Sequence, residues 1–267
     1  MGYRTKTTWA GDRLDAEVYP VYGRNETTAA RAAKLNVTRE AQKRVNDRRA
    51  ERRIILLAEA NFTEKDYHMT LTYKIEPSEV RAAKDLSNFF GRVRRLRKKK
   101  QLPDLKYIYA MGGGEGEDEK RIHFHLMING GLTREELEEC WMKTPGAGRA
   151  NTDRLQPNER GLEELSKYIF KQHKDRKKDR DRKETVRRFN TSRNLKKPKV
   201  RVSDSRCSNA RVKRIAHDIR NEAKNEMEKI YPGYIMVECE VYYSDMIDGA
   251  YIRCVMRKIR TEGGRRL

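Results

Sequence analysis

The sequence predicts an α+β fold: a central antiparallel sheet with helices packed on one face, a basic helical N-terminal extension and a C-terminal helix–strand–strand extension. Three observations predict it. Residues 66–74 and 122–128 alternate apolar and polar with the period of a strand. Residues 77–100 and 162–173 space their apolar side chains with the period of a helix. The connection between residues 105–111 and 122–128 is glycine-rich, which suits an antiparallel hairpin.

In order along the chain, residues 1–26 hold turn formers and few apolar positions and predict a poorly ordered arm. Residues 27–60 are rich in Ala and Arg, lack Pro and Gly, and predict basic helix, firmest at Ile54–Leu57. In residues 66–74, Tyr67, Met69, Leu71 and Tyr73 share one face of a strand, and His68, Thr70, Thr72 and Lys74 share the other. Pro77 and Ser78 open a helix to about Lys100, buried through Val80, Leu86, Phe89, Phe90, Val93 and Leu96. Leu105–Met111 is a second strand, and Arg121–Ile128 a third, closed by Asn129-Gly130-Gly131. Thr133 and Glu136 form a capping box for a helix to about Trp141. Residues 144–158, with two prolines and two glycines, predict a loop. Leu162–His173 is the next helix, residues 174–199 a weakly structured basic run, and Val200–Val202 a short strand. Ser208–Ile230 predicts one amphipathic helix with Ser208 as N-cap. Tyr234–Tyr243 and Ala250–Met256 predict two strands. These elements divide into a basic arm and helical extension (1–60), a central domain (61–203) and a C-terminal α/β extension packed on it (204–267).

The 267-residue chain carries 61 Lys and Arg against 40 Asp and Glu, a formal net charge of +21. Its mean hydropathy is −1.00. The excess is concentrated in residues 39–53, 92–100 and 171–199, as a cationic channel for a polyanion requires. The four cysteines are widely spaced without a zinc pattern, which suits reduced thiols in the cytoplasm. No leader opens the chain, and its longest aliphatic run, Ile54–Ala58, is too short for a bilayer. The basic runs lack adjoining apolar faces, so nucleic acid is expected as the partner and a membrane is not.

Candidate chemistry begins at His123-Phe124-His125. On a strand the two imidazoles lie side by side, with Ile122, Phe124, Leu126 and Ile128 turned to the core. Such a pair can hold a divalent metal ion. On the 162–173 helix, Leu162, Leu165 and Ile169 share a face, while Tyr168 sits on the flank toward Glu164 and Lys171.

Thr70-Leu71-Thr72-Tyr73, His123-Phe124-His125 and Tyr168-Ile169-Phe170-Lys171 occur in this order. In this the chain resembles the HUH-type rolling-circle replication initiators of bacterial plasmids, mobile elements and phages, single-tyrosine members included. Asn61-Phe62-Thr63, Ser192-Arg193-Asn194-Leu195 and Tyr231-Pro232-Gly233-Tyr234 extend the resemblance, toward filamentous-phage initiators, over roughly residues 50–258. It implies a ferredoxin-like or RRM-like HUH nuclease fold and a nicking endonuclease and strand transferase. Tyr168 would be the nucleophile, Lys171 its charge-stabilising neighbour, and His123 and His125 ligands of Mg2+ or Mn2+. The third ligand, usually a Glu at the end of the preceding strand, aligns here with Gly112, which leaves Glu115 or, as its alternative, Glu117. Arg92, Arg94, Arg95, Lys98, Lys174, Lys177 and Arg193 are the candidate DNA contacts. The implied partners are single-stranded origin DNA, with its nick site in a hairpin, and the host helicase and polymerase, in the bacterial cytoplasm. The rival readings are an HUH-type transposase or relaxase with the same chemistry, and a non-catalytic basic nucleic-acid-binding protein.

Overall fold

A computed structural model describes residues 2–21, 39–113, 121–172, 189–244 and 247–259. It is α+β, with two antiparallel sheets and six helices among the described residues. The chain divides into two compact units, Arg48–Lys196 and the pair of terminal segments Met1–Asp47 with Lys197–Leu267.

The terminal unit corrects the expectation of a poorly ordered arm. Gly2–Ala10 (β1) and Arg13–Val21 (β2) form a hairpin, turned at Gly11, whose φ of +57° suits glycine. Its buried positions are easily missed because they include Thr5, Thr7, Thr8, Arg13 and Asp15 beside Tyr3, Leu14, Ala16 and Val18. Lys199–Ser203 (β8), Tyr234–Ser244 (β9) and Ile247–Lys258 (β10) complete a sheet of order β8-β1-β2-β10-β9. The predicted single helix over 208–230 is two, α5 (Asn209–His217) and α6 (Glu222–Ile230). Asp218 breaks it by accepting the backbone N–H groups of Arg220 and Asn221, an Asx turn that competes with helix. Ser208 is the N-cap, as expected.

The Arg48–Lys196 unit holds the predicted central sheet. Tyr67–Tyr73 (β3), Tyr107–Gly112 (β4) and His123–Ile128 (β5) are joined by Ala147–Arg154 (β6) and Asn190–Thr191 (β7) in the order β6-β3-β5-β4-β7. β6 lies where a loop was expected. It is an edge strand whose exposed Arg149, Asn151 and Asp153 alternate with Ala150 and Thr152, a pattern poor in strand formers but sufficient for an edge. Gly148 permits the strand's irregular start, since a Cβ there would come within 2.7 Å of the Tyr73 backbone.

One face of this sheet packs Tyr67, Met69, Leu71, Tyr73, Phe124, Leu126 and Ile128 against α2 (Glu79–Lys99) and α3 (Arg134–Met142). Trp141 is fully buried at its centre, edge-on to Tyr73, Phe89 and Phe124, and its indole N–H donates to Thr72 O. Ser78 caps α2, and Thr133 and Glu136 form the capping box of α3. Thr133→Ala is expected to lower stability by about 1 kcal/mol, the usual effect of removing an N-cap, read as a shift in the urea midpoint.

The other face is covered too, which corrects the expectation of helices on one side. Ile108, Ala110 and Met127 lie under Ile54, Ile55, Leu57 and Ala58 of α1 (Arg39–Asn61) and under Ile169 and Phe170 of α4 (Glu163–Lys171). β4 and β5 are interior strands, and their apolar side chains on this second face require a cover. Among the described residues no helix is long and apolar enough to cross a membrane.

Candidate active site

The strand register builds the site row by row. On the α1/α4 face, Thr70, His125 and Ala110 lie side by side, and one row along lie Thr72, His123 and Gly112. His68 stands in the next row on the other side, opposite Met127. Residues that sequence alone scattered over three strands are thus neighbours.

Each imidazole is held from behind. The His125 ring is 5 % exposed, and its Nδ1 lies 3.2 Å from Thr70 Oγ1. Burial, then the neighbouring His123 and His68, push it down to about 3, so it is neutral at neutral pH with a lone pair to offer. His123 Nδ1 lies 2.8 Å from Arg121 O. A carbonyl only accepts, so His123 donates to it through Nδ1 and turns Nε2 to the site. His68 stacks on His125 at 5.6 Å, and burial pushes it down as well. Its buried Nε2 has no hydrogen-bond partner among the described residues.

Helix α4 brings the tyrosine. Glu59 of α1 accepts the Leu162 N–H at 2.8 Å, which anchors the start of the helix and sets a carboxylate at its positive end. Ile169 and Phe170 are buried beneath α1, and this fixes the roll of the helix. Tyr168 then faces the sheet with its hydroxyl 3.3 Å from His125 Nε2 and its ring edge-on to His125 and His68. It remains 46 % exposed, so a substrate can reach it. One helical turn on, Gln172 Oε1 lies 3.3 Å from His123 Nε2.

The structure therefore brings together Tyr168, His123 and His125 of the predicted site. Lys171 is exposed on the last turn of α4. Glu115, Glu117, Lys174 and Lys177 lie outside the described residues. Among the described residues, no three His, Cys, Asp or Glu side chains gather as a metal site. Two imidazole nitrogens turned toward one helix are nonetheless a fitting partial donor set for a divalent ion.

The expected DNA contacts separate into three groups. Arg92 is a brace within the fold, where its guanidinium donates to Cys140 O and Thr144 Oγ1 and ties α2 to the end of α3. Arg95 is exposed. Arg94, Lys98 and Arg193 line a groove of about 840 Å3, shared with Tyr107 and Asn194. That groove is shaped by buried Arg97, which donates to the carbonyls of Pro103, Asn129 and Gly130, and by Ser192, which clasps Tyr107 through both its backbone and its hydroxyl. Tyr107 begins β4 and Gly112 ends it, so the groove stands roughly 17 Å along the strand from the histidines.

Sequence reasoning missed Gln172 and His68 as members of the cluster. The signal for Gln172 was its i+4 spacing from Tyr168, which puts both on one helix face. For His68 it was the shared strand face with Thr70.

Residues 66–173 match the family model Replication-associated protein ORF2/G2P. The match runs from the start of β3 through the end of α4 and so encloses the whole cluster. It is consistent with a rolling-circle replication initiator family. No curated protein and no solved structure matches the chain.

Proposed function

We propose that this protein starts rolling-circle replication by nicking single-stranded DNA through its own tyrosine. The observation that carries the reading is the Tyr168 hydroxyl, accessible yet 3.3 Å from His125 Nε2, with His123 beside it. A replication-associated family match over the same residues supports it.

In this reading Tyr168 Oη bonds to the scissile phosphorus, and the bond from phosphorus to the 3′ oxygen breaks. The tyrosine proton is released, and the departing 3′ oxygen gains one. The products are a 5′-phosphotyrosine and a free 3′-OH that a polymerase can extend. The link preserves a phosphodiester, so the step is reversible. Thr70 steadies His125 and Arg121 O steadies His123, so both Nε2 atoms face the tyrosine helix. His123 and His125 would hold Mg2+ or Mn2+, with imidazole favouring Mn2+. Bound there, the ion supplies Lewis-acid polarisation of the scissile phosphate. Lys171, one turn from Tyr168, is placed to offset phosphate charge from the solvent side.

The test is incubation with Mn2+ and a pool of single-stranded oligonucleotides. A covalent protein–DNA adduct mapped to Tyr168 by mass spectrometry is expected. DNA binding that EDTA leaves unchanged, with no adduct at any oligonucleotide, would support the non-catalytic alternative.

The Arg94, Lys98 and Arg193 groove is a second contact for the same strand in this proposal. The triple variant Arg94→Ser, Lys98→Ser, Arg193→Ser is expected to weaken single-stranded DNA binding. The slope of log affinity against log salt should fall by about 2, at about 0.7 for each phosphate no longer neutralised. Fluorescence anisotropy at several salt concentrations reads it. An unchanged slope would remove the groove from the DNA path.

A further inference from the structure

We infer that Cys239 and Cys254 form a reversible cross-strand disulfide when a low-molecular-weight disulfide oxidant accumulates, and that this bond locks the edge strand β9 onto β10. The pair belongs to the Met1–Asp47 and Lys197–Leu267 unit, and the inference is independent of the tyrosine chemistry.

The first argument is register. Cys239 lies directly opposite Cys254 in the β9–β10 pair. Facing residues of an antiparallel pair have Cα atoms about 4.5–5.5 Å apart, within the span of about 4.4–6.8 Å that a disulfide bridges. The two Sγ atoms are in contact, so the side chains already turn toward each other. A regular hairpin would not place them so. Met236 faces Met256 but Glu238 faces Val255, so the register shifts by one residue at Val237. An unbroken ladder would set Glu238 opposite Cys254. The irregularity at Val237 is what brings the second sulfur into line.

The second argument is access. Cys239 is half-buried, and Cys254 has no exposed surface. Contact with Cys239, and then burial, push the Cys254 thiol up. The first attack therefore falls to Cys239. Its sulfur gives up its proton and bonds to one sulfur of the oxidant, whose S–S bond breaks, and one small thiol leaves with a proton. Cys254 then gives up its proton and bonds to Cys239 Sγ. The mixed disulfide breaks and the second small thiol leaves. Two protein thiols are oxidised, and one small disulfide is reduced to two thiols.

The third argument is the place of the bond in the sheet. The order is β8-β1-β2-β10-β9, so among the described residues β10 is the one sheet neighbour of β9. β10 pairs on both sides and sends Ile252, Cys254 and Met256 into the core. Peeling of an edge strand is a local opening that costs less than unfolding. A covalent link to an interior strand means that β9 opens only if β10 opens with it. Under reducing conditions the thiols rest apart, so the stiffness of this edge follows the thiol–disulfide balance.

The experiment equilibrates the full chain at graded ratios of oxidised to reduced glutathione. The samples are quenched in acid, alkylated in denaturant and mapped by peptide mass spectrometry. A Cys239–Cys254 link is expected, with Cys140 and Cys207 alkylated, so that the count of free thiols falls from four to two. Amide hydrogen exchange over residues 234–244 is expected to slow by on the order of tenfold or more on oxidation. In Cys239→Ser, shown to be folded by circular dichroism, exchange should be the same in both buffers. Glutathione left on Cys239 with Cys254 free, a link that involves Cys140 or Cys207, or four free thiols in oxidised glutathione alone would each overturn the pair. A Cys239–Cys254 link with unchanged exchange over β9 would overturn the lock.

Discussion

Tyr168→Phe is expected to abolish the proposed covalent adduct with single-stranded DNA and to leave DNA affinity within about twofold, under about 0.5 kcal/mol. The substitution removes one oxygen. The phenyl ring still lies edge-on to His125 and His68, and Ile169 and Phe170 still lock α4 under α1. The hydroxyl's hydrogen bond, 3.3 Å long and on a half-exposed side chain, contributes less than about 1 kcal/mol to folding. The chemical effect is expected to be total, because Tyr168 supplies the hydroxyl at His125 Nε2, and the Thr70 hydroxyl lies on the Nδ1 side of that ring. Gel analysis of the adduct and anisotropy on one oligonucleotide check the two halves. An adduct that persists in Tyr168→Phe would move the nucleophile elsewhere. A loss of binding equal to the loss of adduct would make Tyr168 a contact residue only.

The residues of this site were legible in the sequence because each sits on an element with a strong period. Alternation placed His123 and His125 on one face of β5, and helix spacing put Tyr168 on the flank of α4. The companions of the site were less legible. Gln172 lay one residue beyond the Tyr-x-x-Lys pattern, and its approach to His123 depends on how α4 is laid over β5. Arg92 counted as one cation in a basic run, but its two hydrogen bonds to the end of α3 depend on tertiary packing that no local pattern encodes. β1 and β2 were hidden for a related reason. Their buried positions include threonines, an arginine and an aspartate, so hydrophobic alternation understates them. The second helical layer was visible as Ile54–Leu57 and as the 162–173 helix, but the Ile54–Leu57 stripe is too short to show which face of the sheet it covers.

Trp141→Ala is expected to lower the stability of the Arg48–Lys196 unit by about 3–5 kcal/mol, the range for emptying a buried aromatic site. Trp141 has no exposed surface and touches three other rings. It joins α3 to two strands at once, β3 through Tyr73 and Thr72 O, β5 through Phe124. Those strands carry Thr70 and His125 on their opposite face, so a cavity at Trp141 loosens the pair of strands that sets the Thr70–His125 contact. Trp141→Phe separates the two contributions. It keeps most of the ring packing and removes the N–H, a loss of about 1 kcal/mol for one hydrogen bond. Urea unfolding of the full chain followed by circular dichroism reads both variants, and Trp9 serves as the fluorescence reference in the other unit. If packing alone matters, Trp141→Phe keeps the wild-type rate of adduct formation, and Trp141→Ala, assayed well below its urea midpoint, loses rate in step with its loosened strands. Equal rates for all three proteins at full folding would show that the histidine face is set by α1 and α4 alone, independent of the core on the far side of the sheet.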